Sequence, residues 1–257
     1  MSEEKQSTMT YIWKQWGCLI CFLALLGIAL AVLIPAVQAA REAARKMQCW
    51  PDQVAFALHA YHDAYGSFPP AYTTDADGKP LHSWRVLLLP FQEQKELYDK
   101  IRLDEPWDSP YNSQFHKPTP KIHTYYCPSR PEQVILDGLI HIQMVIGPDT
   151  ISAGPNCTKH SDIPNPSETF LIVETSVPVP WMSPQDLPQS ALANGIVSSR
   201  PKWGKPVVQG IGSPHKNGAY VVWADGSLGR FLSDKTTPEQ LLEYSRVKPS
   251  KNENDHE

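Results

Sequence analysis

The chain has 257 residues, with 27 acidic against 23 basic side chains and a formal net charge of −4 at pH 7. No basic cluster stands in its body, so nucleic-acid binding has no electrostatic footprint. Proline stands at 25 and glycine at 14; proline is about twice its usual ~5% share, which excludes a plain helix bundle and predicts a loop-rich α+β domain.

The first element is an uncharged apolar run from Trp16 to Ile34. At ~1.5 Å per residue it covers about 28 Å, close to the ~30 Å hydrocarbon core of a bilayer. Tyr11, Trp13 and Trp16 cluster at its front edge, where amphipathic rings favour the headgroup layer. A cleaved secretory signal would have an apolar region of roughly 7–15 residues and a small-residue cleavage site. Here the run is longer and leads into strong helix formers, so a retained anchor over 16–35 is the expectation, behind an N-terminal tail of 1–15.

A stalk helix over 36–66 follows. Ala36, Ala39, Ala40, Ala43 and Ala44 have the highest helix propensity, and Glu42 and Lys46 form an i,i+4 pair. Pro35 lacks an N–H and predicts a kink near the membrane surface. Beyond Pro51, Val54, Leu58, Tyr61 and Tyr65 recur at helical spacing, and Gly66-Ser-Phe-Pro-Pro70 stops the helix. The remaining residues 67–246 suffice for one α+β domain with an antiparallel sheet and a real core. The polar end, 247–257, reads as a frayed tail.

Inside that domain, Trp84 to Tyr98 reads as a helix that Pro90 must bend or split. Thr169-Phe-Leu-Ile-Val-Glu174 is short, apolar and β-branched, the pattern of a buried strand. Tyr220-Val-Val-Trp-Ala and Ser227-Leu-Gly-Arg-Phe-Leu flank Asp225-Gly226, which predicts a hairpin with a two-residue type I′ turn. Pro238 to Tyr244 predicts a closing helix with Thr237 as N-cap.

These segments carry a resemblance. Leu33-Ile-Pro-Ala-Val-Gln-Ala-Ala-Arg-Glu-Ala-Ala-Arg45, Cys49 and Leu58-His-Ala-Tyr-His-Asp-Ala-Tyr-Gly-Ser-Phe-Pro-Pro70 resemble a bacterial prepilin-like family, in which a type IV pilin-type N-terminal helix precedes domain of unknown function 1559. Ser83-Trp-Arg-Val-Leu-Leu-Leu-Pro-Phe-Gln-Glu-Gln94, Glu105-Pro-Trp-Asp-Ser-Pro110 and Tyr126-Cys-Pro-Ser129 match in order. His215, followed by nine residues and then Asp225-Gly226, matches the family's His-x9-Asp-Gly signature. The front departs from the pattern: Trp13 stands where members with an intact prepilin signal carry the cleaved Gly, and Cys18 where they carry Glu. The expectation is therefore an uncleaved single-pass anchor.

The resemblance implies an inner (cytoplasmic) membrane location, with the N-terminus cytoplasmic and the domain extracytoplasmic. Charge does not reinforce this, since Lys5 and Lys14 precede the span while Arg41, Arg45 and Lys46 follow it. Pilin-like or secretion-system subunits are the implied partners, besides the membrane itself. Cys18 and Cys21 fall in the apolar run. Among Cys49, Cys127 and Cys157 an oxidising compartment permits one bridge, and the family pattern favours Cys49 with Cys127. Those three show no Cys-x2-Cys spacing, so no zinc site is expected.

Candidate site residues remain open between structure and chemistry. Turn chemistry alone accounts for Asp225-Gly226, with His215 in the loop entering the hairpin. Glu174, Trp181 and Asp186 match a family pattern; two carboxylates and an aromatic suit a cation or a sugar, and equally an ion pair and a buried indole. His59, His62 and Asp63 lie at i, i+3 and i+4, within reach of one metal, but read better as the solvated back of the stalk helix. Asn156-Cys-Thr158 is formally a glycosylation sequon. No Gly-x-Ser-x-Gly elbow or His-Glu-x-x-His helix is present, and no cofactor is implied. The expectation is a non-enzymatic, membrane-anchored, pilin- or pseudopilin-like structural or interaction protein of the cell envelope. The alternative is an anchored extracytoplasmic glycan-binding module or hydrolase, which requires Glu174, Asp186 and His215 to meet in one concave pocket.

Overall fold

The computed structural model describes residues 16, 22–41, 51–117, 123–127, 129–197, 207–215, 218–231 and 235–247. Trp13, Cys18, Cys21, Cys49 and the tail beyond Val247 lie outside them, so the pairing of Cys49 with Cys127 does too. The chain divides into two compact units, Met1–Met47 and Gln48–Glu257.

In the first unit α1, Phe22–Arg41, is a 20-residue helix in which a window of 18 residues has a mean hydropathy of 2.4 and none of that window is buried. At ~1.5 Å per residue it is about 30 Å long, enough to cross a bilayer or to serve as a signal sequence. It continues through Pro35, whose missing N–H forfeits one hydrogen bond of the ladder.

The second unit is α+β. Its sheet has four antiparallel strands in the order β3-β5-β7-β8, formed by Leu139–Gln143, Phe170–Pro180, Ala219–Trp223 and Leu228–Phe231. Both faces are covered. Along β7, Ala219 and Val221 enter one core and Val222 the other, with Ala224 just beyond the strand following Val222, as the two-residue period of a strand requires. The larger core gathers Val54, Ala57 and Leu58 of α2 (Pro51–Tyr65) with Phe68, Trp84, Tyr125, Ile142 and Trp181. The smaller holds Phe170, Val173, Leu192 and Ile211 under Leu241 of α6, Pro238–Ser245.

Around this frame lie a hairpin of β1 (Tyr72–Thr74) with β2 (Pro80–Ser83), and a short parallel pair of β4 (Val145–Ile146) with β6 (Leu187–Pro188). Gly66, at φ 75°, ends α2 with its N–H donating to His62 O at 2.7 Å, the expected glycine stop. Thr237 caps α6 through a full capping box with Gln240.

Three local expectations change. The segment 84–98 is not one helix but three short pieces: α3 (Trp84–Leu87), a 3-10 turn (Leu89–Gln92) and α4 (Lys95–Tyr98). Pro90 enters the 3-10 turn and Glu93 leaves it in the left-handed region, at φ 57° and ψ 25°, which breaks the ladder twice. The hairpin turn is not type I′. Gly226 N–H donates to Trp223 O at 3.0 Å and Trp223 N–H to Ser227 O at 2.9 Å. Gly226 has φ 84° while Asp225 is not among the positive-φ residues. That is the three-residue loop in which a turn is followed by a left-handed glycine bulge. Finally, α2 is rotated from its expected setting. His59 and His62 are half-buried and Tyr65 is exposed, because the chain after Gly66 folds back, Phe68 N–H donating to Thr158 O at 2.9 Å, and covers the histidine side.

Candidate functional site

The charged residues singled out in the sequence lie mostly in the interior, in two separate clusters. A buried charge is tolerated only when paired and hydrogen-bonded, and each cluster is built around an arginine that meets this condition.

In the first, β5 carries Glu174 into the domain and Arg130 meets it from the turn after Cys127: Arg130 Nη2 donates to Glu174 Oε1 at 3.0 Å. The same nitrogen reaches the carbonyls of Thr175 (3.2 Å) and Gly212 (3.3 Å). Tyr220 N–H approaches Glu174 Oε2 at 3.4 Å and the Ser213 hydroxyl adds a further bond. Burial raises the Glu174 carboxyl above the usual range, against the pull of Arg130. His215 belongs to this cluster, its Nε2 3.3 Å from Cys127 Sγ and its ring edge-on to Tyr220. His141 sits beside it, its Nδ1–H donating to Thr175 O at 2.9 Å; burial and Arg130 push its pKa down to about 3.

In the second, Arg85 of α3 is fully buried and its Nη2 donates to Asp186 Oδ1 at 2.5 Å and to Ile142 O at 2.9 Å. Asp186 Oδ1 also accepts from Met144 N–H at 3.0 Å and from the Trp84 indole at 3.3 Å. Burial raises this carboxyl to about 6, so at neutral pH it remains ionised against Arg85.

Trp181 is buried with them, its Nε1 donating to Phe115 O at 3.0 Å. Glu174, Trp181 and Asp186 are therefore interior, and Asp186 does not join His215 and Glu174. Cys127 and His215 place a thiol beside an imidazole, the minimum for nucleophilic chemistry, and each is only 5% exposed. Cys157, by contrast, is exposed.

Asp225 and Gly226 form a structural joint. Asp225 Oδ1 accepts from the Ser227 amide (2.8 Å) and hydroxyl (2.6 Å), tying the turn. Gly226 backs onto His59, and His59 and His62 pack around Phe68 with His160 at ring separations of 5.2–6.3 Å. Asp63, third of the sequence trio, faces solvent. Among the described residues no group of three or more His, Cys, Asp or Glu is set to hold a metal ion.

Sequence reasoning missed Arg85 and Arg130, which organise both clusters. The signal was present for Arg85: a lone arginine inside Trp84-Arg-Val-Leu-Leu-Leu89 must be buried with a partner or break the apolar run. Arg130 follows a turn after Tyr126-Cys-Pro-Ser129 and has no such signature.

A two-faced antiparallel sheet stapled by two interior arginine–carboxylate pairs, behind an apolar N-terminal helix, defines an α+β domain whose most distinctive polar residues hold the fold together. Over residues 38–179, more than half its length, the chain matches the family described as a protein of unknown function (DUF1559), and it belongs to that family. No curated protein and no solved structure matches it.

Proposed function

We propose that this chain is a single-pass, membrane-anchored protein of the cell envelope, pilin- or pseudopilin-like in layout, that serves as a structural or interaction subunit rather than an enzyme. The observation that carries the reading is α1, 20 residues long and wholly exposed, preceding a unit that pairs its own buried arginines. Wholly exposed apolar surface of that extent calls for lipid or a partner. In this reading the apolar run 16–35 lies in the inner membrane, and the extracytoplasmic domain begins near Gln48, because α2, expected as part of a stalk over 36–66, is packed into the domain's core. An outside location also suits a bridge between Cys49 and Cys127.

The test is protease shaving of intact spheroplasts carrying a C-terminal epitope tag. Loss of the tag signal supports the proposal. Protection in intact cells with digestion after lysis places the domain in the cytoplasm and refutes it. Intact-mass measurement adds the second axis, since a new N-terminus near residue 14 would mean prepilin-type processing, and one near residue 40 a cleaved signal.

A further inference from the structure

We propose that His59, His62 and His160 form an acid-released latch: protonation of the cluster frees the strap of residues 155–162 from the end of α2 and uncovers Phe68. The inference stands independently of membrane anchoring.

Little else holds the strap. None of residues 155–162 is buried, whereas Gly154 before them and Ile163 after them are, so burial fastens the two ends and not the middle. Three hydrogen bonds cross to the end of α2 and the chain behind it. Phe68 N–H donates to Thr158 O at 2.9 Å, Ala71 N–H to Gly154 O at 3.0 Å, and His160 N–H to His62 Nε2 at 3.4 Å. The remaining contact is between rings. Phe68, fully buried, lies 5.5 Å from His59, 5.2 Å from His62 and 6.1 Å from His160, and His160 closes the cluster over it. A segment with so few buried contacts opens at a lower free energy than the whole fold.

These contacts need neutral rings. His62 Nε2 accepts from an amide, so its lone pair is there and the proton of the neutral ring sits on Nδ1, 3.6 Å from Asp63 Oδ1. A second proton turns Nε2 into a donor facing the His160 N–H, and the bond is lost. His59 Nε2 is enclosed against Gly226 without a hydrogen-bond partner among the described residues, so a proton there is a buried donor with no acceptor. Charging His160 together with His59 or His62 sets like charges on rings 5.9–6.3 Å apart.

The surrounding charges do not cancel this. Burial lowers the His59 pKa, as do His160 and His62, while Asp63 and Asp225 raise it. Both aspartates are exposed, and water screens them. The strap's own ionisable groups are Cys157, Lys159 and Asp162, and the last two flank His160 with opposite signs. Proton uptake therefore favours the open strap, whose imidazoles are in water. The latch is closed above the ordinary histidine range, about 6.5, and opens as pH falls below it.

Hydrogen–deuterium exchange of the full chain in neutral detergent tests this, at pH 7 and pH 5, with rates corrected for intrinsic exchange. It is read at peptides containing Phe68 and His160, whose amides bond across the latch, and at β5. Protection at the first two falls about tenfold or more at pH 5, as uptake of a single proton allows, and stays below that of β5 at both pH values. His62→Gln keeps an acceptor that does not titrate, and His160→Gln removes one charge while leaving its amide in place. Each shrinks the loss at Phe68 at least about threefold and leaves the pH response of β5 as in the unaltered chain. Protection of β5 at pH 7 shows which variants are folded, and either one carries the test. Equal protection of the latch at both pH values, exchange of Phe68 and His160 only together with β5, or an undiminished loss in a folded variant overturns the proposal.

Discussion

Gly226 stands directly against the imidazole of His59: a Cβ at position 226 would lie 2.9 Å from His59 Nε2. The contact joins the β7–β8 turn to α2, and a glycine at this position is required twice over, by its φ of 84° and by the closeness of the ring.

Gly226→Ala therefore destabilises the domain by roughly 1–3 kcal/mol, combining left-handed strain with the clash. His59→Ala opens the space, so the two changes together cost less than their sum. Urea midpoints of the four variants check this. Strict additivity would mean that only backbone strain matters at 226.

The interior pairs make a sharper prediction. Arg130→Met leaves Glu174 buried without its counter-charge and costs roughly 3–5 kcal/mol, whereas Arg130→Met with Glu174→Leu recovers most of the loss. Thermal unfolding of the full chain in neutral detergent measures both. A double variant as unstable as the single one would show that the carbonyl bonds of Arg130, not its charge pairing, dominate.

Acid weakens the fold through its buried histidines. His141, with a pKa pushed down to about 3, stays neutral in the folded domain, while in the unfolded chain it takes a proton near 6.5. Its contribution is complete above 6.5 and is lost as pH falls toward 3, at about 1.4 kcal/mol per pH unit. Burial lowers His59 and His82 as well. Asp186, raised to about 6, opposes them between 6 and 3.8 by binding a proton in the folded state. His141→Asn should remove about 2 kcal/mol from the stability difference between pH 7 and pH 5. Urea titrations at the two pH values test it, and an unchanged difference would mean that His141 is already solvated.

Thiol accessibility separates the two described soluble cysteines. Iodoacetamide modifies Cys157 rapidly in the native protein and leaves Cys127 unmodified until the domain is unfolded in the presence of a reductant, as read by peptide mapping. Comparable rates would contradict the burial of Cys127 beside His215.

What the sequence disclosed was local. The stop at Gly66, the cap at Thr237 with Gln240, and the β7–β8 hairpin are each written within a few neighbouring residues. The turn type was misread because Asp-Gly satisfies two loop lengths, and only the pairing of Trp223 with Ser227 selects between them. The setting of α2 was obscured by a segment 98 residues away, since His160 packs on His62. Arg85 and Asp186 are 101 residues apart, and no periodicity announces such a pair.

The placement of β5 has a consequence for handling this protein. The stretch matched to the family ends at residue 179, one residue before β5 does, yet β5 has β7 as one of its two neighbours and Arg85 has Asp186 as its counter-ion. A fragment trimmed to the region of likeness would strip the inner strand of that partner and strand a guanidinium in an apolar interior. Such a piece would present a raw sheet edge to its neighbours and aggregate. The matched stretch and the unit of folding differ, and expression boundaries belong after α6.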